Sequence, residues 1–169
     1  MKCFKDRKER VWEIELNVHA MKRIRAALGV DLVNVITLDR DGAVKIDLVE
    51  RIANDPCLLV DILWVIVEAQ ARERGVTDAD FGSSLGGDAI TGATAAFLDE
   101  LVDFFPGAKR LFLKKAVEVA RKYSTEAETA LGRALENPEL DRMIAESIAS
   151  SASSRASSES TPESTPSAS

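Results

Sequence analysis

Residues 55–75 read DPCLLVDILWVIVEAQARERG, and both ends of the stretch carry helix signals. Asp55 sits as an N-cap and Pro56 brings a preset φ to the first helical position. Arg72, Arg74 and Gly75 supply a cationic last turn and a residue that tolerates a left-handed stop. Between them Leu58, Leu59, Val60, Ile62, Leu63, Trp64, Val65, Ile66 and Val67 are apolar nearly all round, so Asp61, Glu68 and Arg72 leave only a narrow polar stripe. Such a helix is expected to be covered by neighbours on most sides. Its apolar run is shorter than the roughly 20 residues a bilayer span needs, and Asp61 interrupts it, so it reads as the core helix of a soluble domain. The fold class that follows is mainly α, a compact multi-helix domain.

A chain of 169 residues, 46% hydrophobic and 30% charged with a net charge of −6, is long enough for one such domain with appendages. The acidic balance argues against binding nucleic acid by phosphate neutralisation and points to a protein partner. Cys3 and Cys57 have no metal-ligand spacing and no signal-peptide pattern precedes them, so they read as reduced thiols of an intracellular protein.

Toward the N-terminus the period changes. Trp12, Ile14 and Leu16 alternate with Glu13 and Glu15. With a short strand at 2–5 and a charged connection at 6–10, this predicts a β-hairpin with one packed face. Asn17 caps a helix over 18–28 that stops at Gly29, burying Val18, Met21, Ile24 and Leu28 and turning Lys22, Arg23 and Arg25 outward. Residues 30–46 admit two readings, a second hairpin turning at Asp41-Gly42 or a helical turn within 32–38. Asp39, Asp41 and Gly42 lack the third acid and the closing Glu of a calcium loop, and read as a turn. A short helix over 47–53, with Leu48, Val49 and Ile52 inward, leads into the central one.

Downstream, Thr77-Asp78-Ala79-Asp80 is a capping box for a short helix with Phe81 and Leu85 on one face. Gly82-Ser83-Ser84-Leu85-Gly86 has the bare spacing of a nucleophile elbow. That device needs a strand before the serine and a histidine after it, and the single histidine, His19, lies upstream. No catalytic, cofactor-binding or metal-ligating set is expected.

In the helix opened by Asp88, Ile90, Ala93, Phe97, Leu101 and Phe104 recur at three and four, and Phe105-Pro106-Gly107 ends it. Asp99, Glu100 and Asp103 crowd its C-terminal half, where the macrodipole favours cations. Lys109, Arg110, Lys114 and Lys115 are expected to fold back and compensate them. Residues 108–123 read as a basic amphipathic helix with Leu111, Phe112, Leu113, Ala116, Val117 and Ala120 inward. Two weaker helices follow at 125–135 and 138–148. From 147 to 169 Ser, Ala, Thr, Pro and Glu dominate, the composition of a disordered tail. The expected organisation is a folded core with its hairpin over 1–123, weaker helices over 124–146 and the tail over 147–169.

The chain resembles the tail assembly chaperones of long-tailed bacteriophages and prophages. The similarity is carried by WEIELNV (12–18), KRIR (22–25) with GVDL (29–32), DPCLLVDILW (55–64), QARERGVTDADF (70–81), LGGDAI (85–90) and LDELVDFFP (98–106). Their order and spacing extend over the first two thirds of the sequence. The resemblance implies a small, mainly helical, non-enzymatic protein of the host cytoplasm. It would bind the long helical tape measure protein, keep it soluble during assembly and be absent from the mature virion. In that family a longer frameshift product often carries a domain that recruits the tail tube protein. The Ser-rich end of this chain looks like the short product. Self-association is a further expected partnership.

For such a role, Ala93, Ala96, Phe97, Phe104 and Phe105 are expected to line a client groove with Asp99, Glu100 and Asp103 beside it, although core packing explains the same residues. Two alternatives stay open. One is a structural part of the virion, such as a head-tail connector or tail-completion protein. The other is a helical DNA-binding module using the basic residues of 109–122. No nucleic-acid or membrane partner and no cofactor are expected, and an enzyme is the reading least favoured.

Overall fold

Three polar side chains set where the helices begin. Asn17 Oδ1 accepts from Ala20 N at 2.9 Å, Asp55 Oδ1 from Leu58 N at 3.0 Å and Thr77 Oγ1 from Asp80 N at 3.2 Å, each worth about 1 kcal/mol to its helix. The computed structural model describes residues 1–38, 40–41, 44–135, 142–143 and 145–148. Strand β1 (Lys2–Lys5) pairs antiparallel with β2 (Val11–Ile14), with Phe4 opposite Trp12. Helix α1 (Val18–Leu28) is followed by a 3-10 turn (Leu32–Asn34) and a pair of two-residue strands, β3 (Thr37–Leu38) and β4 (Val44–Lys45). Then come α2 (Asp47–Asn54), α3 (Pro56–Glu73), α4 (Asp78–Ser83), α5 (Asp88–Phe104) and α6 (Gly107–Leu135). The class is mainly α with an N-terminal hairpin, and residues 30–46 contain both of the structures their sequence allows. By its contacts the chain divides into a first unit, Met1–Glu118, and a second, Val119–Ser169.

The central helix of the first unit is α3, which touches β2, α1, α2, α4 and α5. Leu59, Ile62, Leu63, Val67 and Ala71 are buried, whereas Leu58, Val60, Trp64, Val65 and Ile66 are half-buried. Cover is therefore complete on one side only. Phe81 of α4 is fully buried where three elements meet, with ring centroids 6.5 Å from Phe4, 5.1 Å from Trp12 and 5.7 Å from Trp64. The six-residue α4 is too short to be stable alone and is held by this contact.

Both edges of the hairpin are occupied. Gln70 Nε2 donates to the Glu13 carbonyl at 2.8 Å and Gln70 Oε1 accepts from Glu13 N at 3.1 Å, so one side-chain amide pairs with β2 as a neighbouring strand would. Arg74 Nη1 adds a bond to the Val11 carbonyl at 2.6 Å. Along β1 runs α5, joined to it by the Lys2–Asp103 ion pair at 3.0 Å. A ribbon that would be marginal by itself is thereby anchored and shielded from edge pairing.

Four expectations need correction. Val18 is 61% exposed and α1 buries Ala20, Met21 and Ile24 instead, because the Cβ of a first helical residue points back beyond the packed turns. Strand β2 ends at Ile14, although Leu16 beyond it stays buried. On α6 only Leu113 and Val117 of the expected inward set are buried, Ala116 is half-buried, and Leu111, Phe112 and Ala120 are exposed. Finally, α6 does not break near Tyr123. Thr125 Oγ1 donates to the Arg121 carbonyl at 3.0 Å and Thr129 Oγ1 to the Thr125 carbonyl at 2.8 Å, so these hydroxyls bond within the helix rather than compete with it. Residues 142–143 and 145–148 are helical. Gly42 of the expected turn, residues 136–141 and nearly all of the expected tail, 149–169, lie outside the described residues.

The hairpin connection closes through Glu9 N to the Asp6 carbonyl at 2.9 Å and Asp6 N to the Arg10 carbonyl at 3.1 Å, with Glu9 at φ 60°. A left-handed residue ends this three-residue loop, and a side chain there is strained. Glu9→Gly is expected to raise stability by about 0.5–1 kcal/mol, the left-handed penalty less the added chain entropy of glycine. A higher urea midpoint at unchanged slope is the readout.

Candidate functional site

The eight residues expected to meet a partner do not form one open face. Ala93 and Phe97 have no solvent exposure and Phe105 is buried, all within the core of the first unit. Ala96 and Phe104 are half-buried, the Phe104 ring standing edge-on to Phe105 at 5.1 Å. Glu100 is buried. It accepts from Leu16 N at 3.2 Å, and its other oxygen lies 3.0 Å from the Met1 ammonium. Asp99 is half-buried and Asp103 exposed.

Glu100 and Asp103 are thus compensated, Asp103 in part by Arg110 as expected, but also from the N-terminal end of the chain, which the periodicity did not foretell. Lys2 and Arg110 both pair with Asp103 and hold its carboxyl below the ordinary aspartate range, the Lys2 hydrogen bond acting most strongly. Lys109 turns elsewhere, donating to the Val33 carbonyl at 2.9 Å and lying 4.7 Å over the Phe105 ring. Because β1 is remote in sequence from α5, no local pattern marks it as the source of compensating charge.

What this corner of the first unit does present is Leu111, 70% exposed, and Phe112, 40% exposed, with Lys114 and Lys115 exposed beside them. Consecutive helical residues are about 100° apart, so Leu111-Phe112-Leu113 cannot all face one core. Leu113 takes the buried position and the other two are left outside. That signal was in the sequence, since a run of three apolar residues exceeds the width of an inward stripe. The exposed pair is the candidate partner-binding surface, suited by its chemistry to the apolar face of an amphipathic helix.

A second constellation is buried. Asp6 Oδ2 accepts from Trp12 Nε1 at 2.9 Å, Arg10 Nε at 2.6 Å and Ser84 Oγ at 3.2 Å, while its Oδ1 accepts from Lys8 N at 2.8 Å and Arg10 N at 3.0 Å. Burial pushes this carboxyl up, and the bonds from Trp12, Arg10 and Lys8 more than reverse it, holding the group at about 2. Asp80 pairs with Lys8 and, at 2.9 Å, with Arg10. The remaining Arg10 Nη2 is buried without a hydrogen bond, and the guanidinium lies 5.4 Å over the Trp12 ring. Ser84, the serine of the elbow-like spacing, is buried and its Oγ lies 2.6 Å from the Phe81 carbonyl. Its single hydroxyl proton is therefore shared between the Phe81 carbonyl, the shorter contact, and Asp6 Oδ2, and does not face solvent.

An open cleft of about 630 Å³ borders this cluster, lined by Lys5, Arg7 and Glu9 on one side and by Gly87, Asp88 and Gly92 on the other. Its mixed charges cancel, and Asp88 already occupies the first turn of α5. Among the described residues no group of His, Cys, Asp and Glu is placed to hold a metal ion, and no helix is long and apolar enough to cross a membrane. No protein-family model, curated protein or solved structure matches the chain.

Since Asp6 titrates near 2 in the fold against an ordinary 3.8, the unfolded chain takes up the proton first. Its stabilising contribution is present above about pH 5 and is lost as the pH falls toward 2. Asp6→Asn is expected to cost about 2–3 kcal/mol at neutral pH, because an amide cannot accept all the bonds that converge on the carboxylate and Arg10 is left with Asp80 as its remaining counter-ion. Urea unfolding followed by tryptophan fluorescence from pH 7 to pH 3 should show a steeper acid loss in the parent chain than in the variant.

Proposed function

We propose that this protein is a tail assembly chaperone that binds the tape measure protein of a long-tailed phage or prophage and keeps it soluble until the tail is built. The observation that carries the reading is the ordered set of strings from WEIELNV (12–18) to LDELVDFFP (98–106). The geometry supports it in one respect. Leu111 and Phe112 stand in solvent on a turn rich in lysine and arginine, which offers apolar contact to a helical client while charge keeps the complex in solution. The client surface then lies on the outside of the α5–α6 corner, next to Asp103 and Phe104, and not in the interior where Ala93 and Phe97 sit.

Co-expression with the tape measure protein from the same genome tests this. The client should appear in the soluble fraction and co-purify, while remaining insoluble when expressed alone. The double variant Leu111→Glu, Phe112→Glu should fold, since both side chains are exposed, yet recover at most about a tenth of the client. A client that stays insoluble, together with this chain in finished particles, would replace the reading by a structural role in the virion.

A further inference from the structure

In the second unit, the residues of α6 from Val119 onward whose side chains are described lie open to solvent. Val119 is 41% exposed, Tyr123 68% and Leu131 61%, and Ala120, Ala127 and Ala130 are exposed as well. At 3.6 residues per turn these six fall on one strip about 120° wide. A helical stretch of this length with an uncovered apolar strip is marginal in water, so cover from outside would stabilise it.

The strip is complementary to itself when reversed. About the level of Thr125, each member meets one equally far on the other side: Val119 with Leu131, Ala120 with Ala130, and Tyr123 with Ala127. Large thus opposes small at the centre, as interdigitated helix packing requires. Charge agrees. Lys122 and Glu126 flank the strip on the same side, 3.8 Å apart within one helix. A two-fold axis at Thr125 brings Lys122 close to Glu126 of a second copy, so that the two lysines flank and neutralise the two Glu126 side chains, which the axis also brings together. A parallel pairing would instead set Tyr123 against Tyr123 and Lys122 against Lys122.

We propose that residues 119–131 pair antiparallel with the same residues of a second copy, making the protein a two-fold dimer through α6. This dimer does not depend on the client reading, because it uses a different stretch of the helix. Light scattering or sedimentation of the full chain should give about twice the 18.4 kDa of one copy. Tyr123→Asp and Leu131→Asp should each raise the dissociation constant by about tenfold or more, with the tryptophan fluorescence of the first unit unchanged.

Register is read separately, in a chain whose Cys3 and Cys57, both exposed, are replaced by serine. A mixture of Tyr123→Cys and Ala127→Cys proteins should cross-link through a short bis-maleimide faster than Tyr123→Cys protein alone. A single-copy mass at every concentration overturns the proposal. So does a dimer that both aspartate variants leave unchanged, or Tyr123→Cys cross-linking to itself as fast as the mixture.

Discussion

The first unit depends on one buried carboxylate. Asp6 gathers two backbone N–H groups, the Trp12 indole, the Arg10 guanidinium and the Ser84 hydroxyl. These join the loop of the hairpin to its second strand and to the end of α4, 78 residues away in sequence. Burying a charge is unfavourable unless its lone pairs are taken up. Here they are taken up by groups drawn from loop, strand and helix together. The same bonds orient Trp12 so that its ring meets Phe81 edge-on, at an interplanar angle of 87°. A polar contact at the rim of the core thereby specifies the apolar contact at its centre.

How much of this could be read in advance follows from the range of each interaction. Caps act over three residues, so Asn17, Asp55 and Thr77 mark their helices directly. The alternation of Trp12, Ile14 and Leu16 is equally local, and the hairpin it implies is present. The junction of Asp6 with Ser84 and the pairing of Gln70 with the edge of β2 span 78 and 57 residues. Neither leaves a trace in hydrophobic period. Glu100 shows the same limit. As one of three acids on a helix it looks like surface charge, yet it turns inward because Leu16 N needs an acceptor there.

The candidate partner surface was legible as chemistry but not as position. Phenylalanines around residue 105, with acids before and bases after, do mark the corner between α5 and α6. Which of them stay outside is decided by how much of α6 the first unit can cover. Leu113 and Val117, one turn apart, account for that cover within this unit. Phe97 and Phe105 are consumed by the same packing, and Leu111 and Phe112 are left over.

The charge of α6 bears on why those leftovers are tolerable. The helix carries seven basic and three acidic residues in a chain whose net charge is −6, so its apolar positions are interleaved with long cationic side chains. Lysine and arginine cover neighbouring apolar surface with their methylene stems while keeping the charged end in water. They also discourage the indiscriminate association that an uncharged apolar helix would invite. A partner that displaces those stems must bring its own apolar stripe and tolerate positive charge on the flanks. Selection by that double requirement is narrower than hydrophobic attraction alone, and it lets a helix remain exposed without becoming an aggregation site.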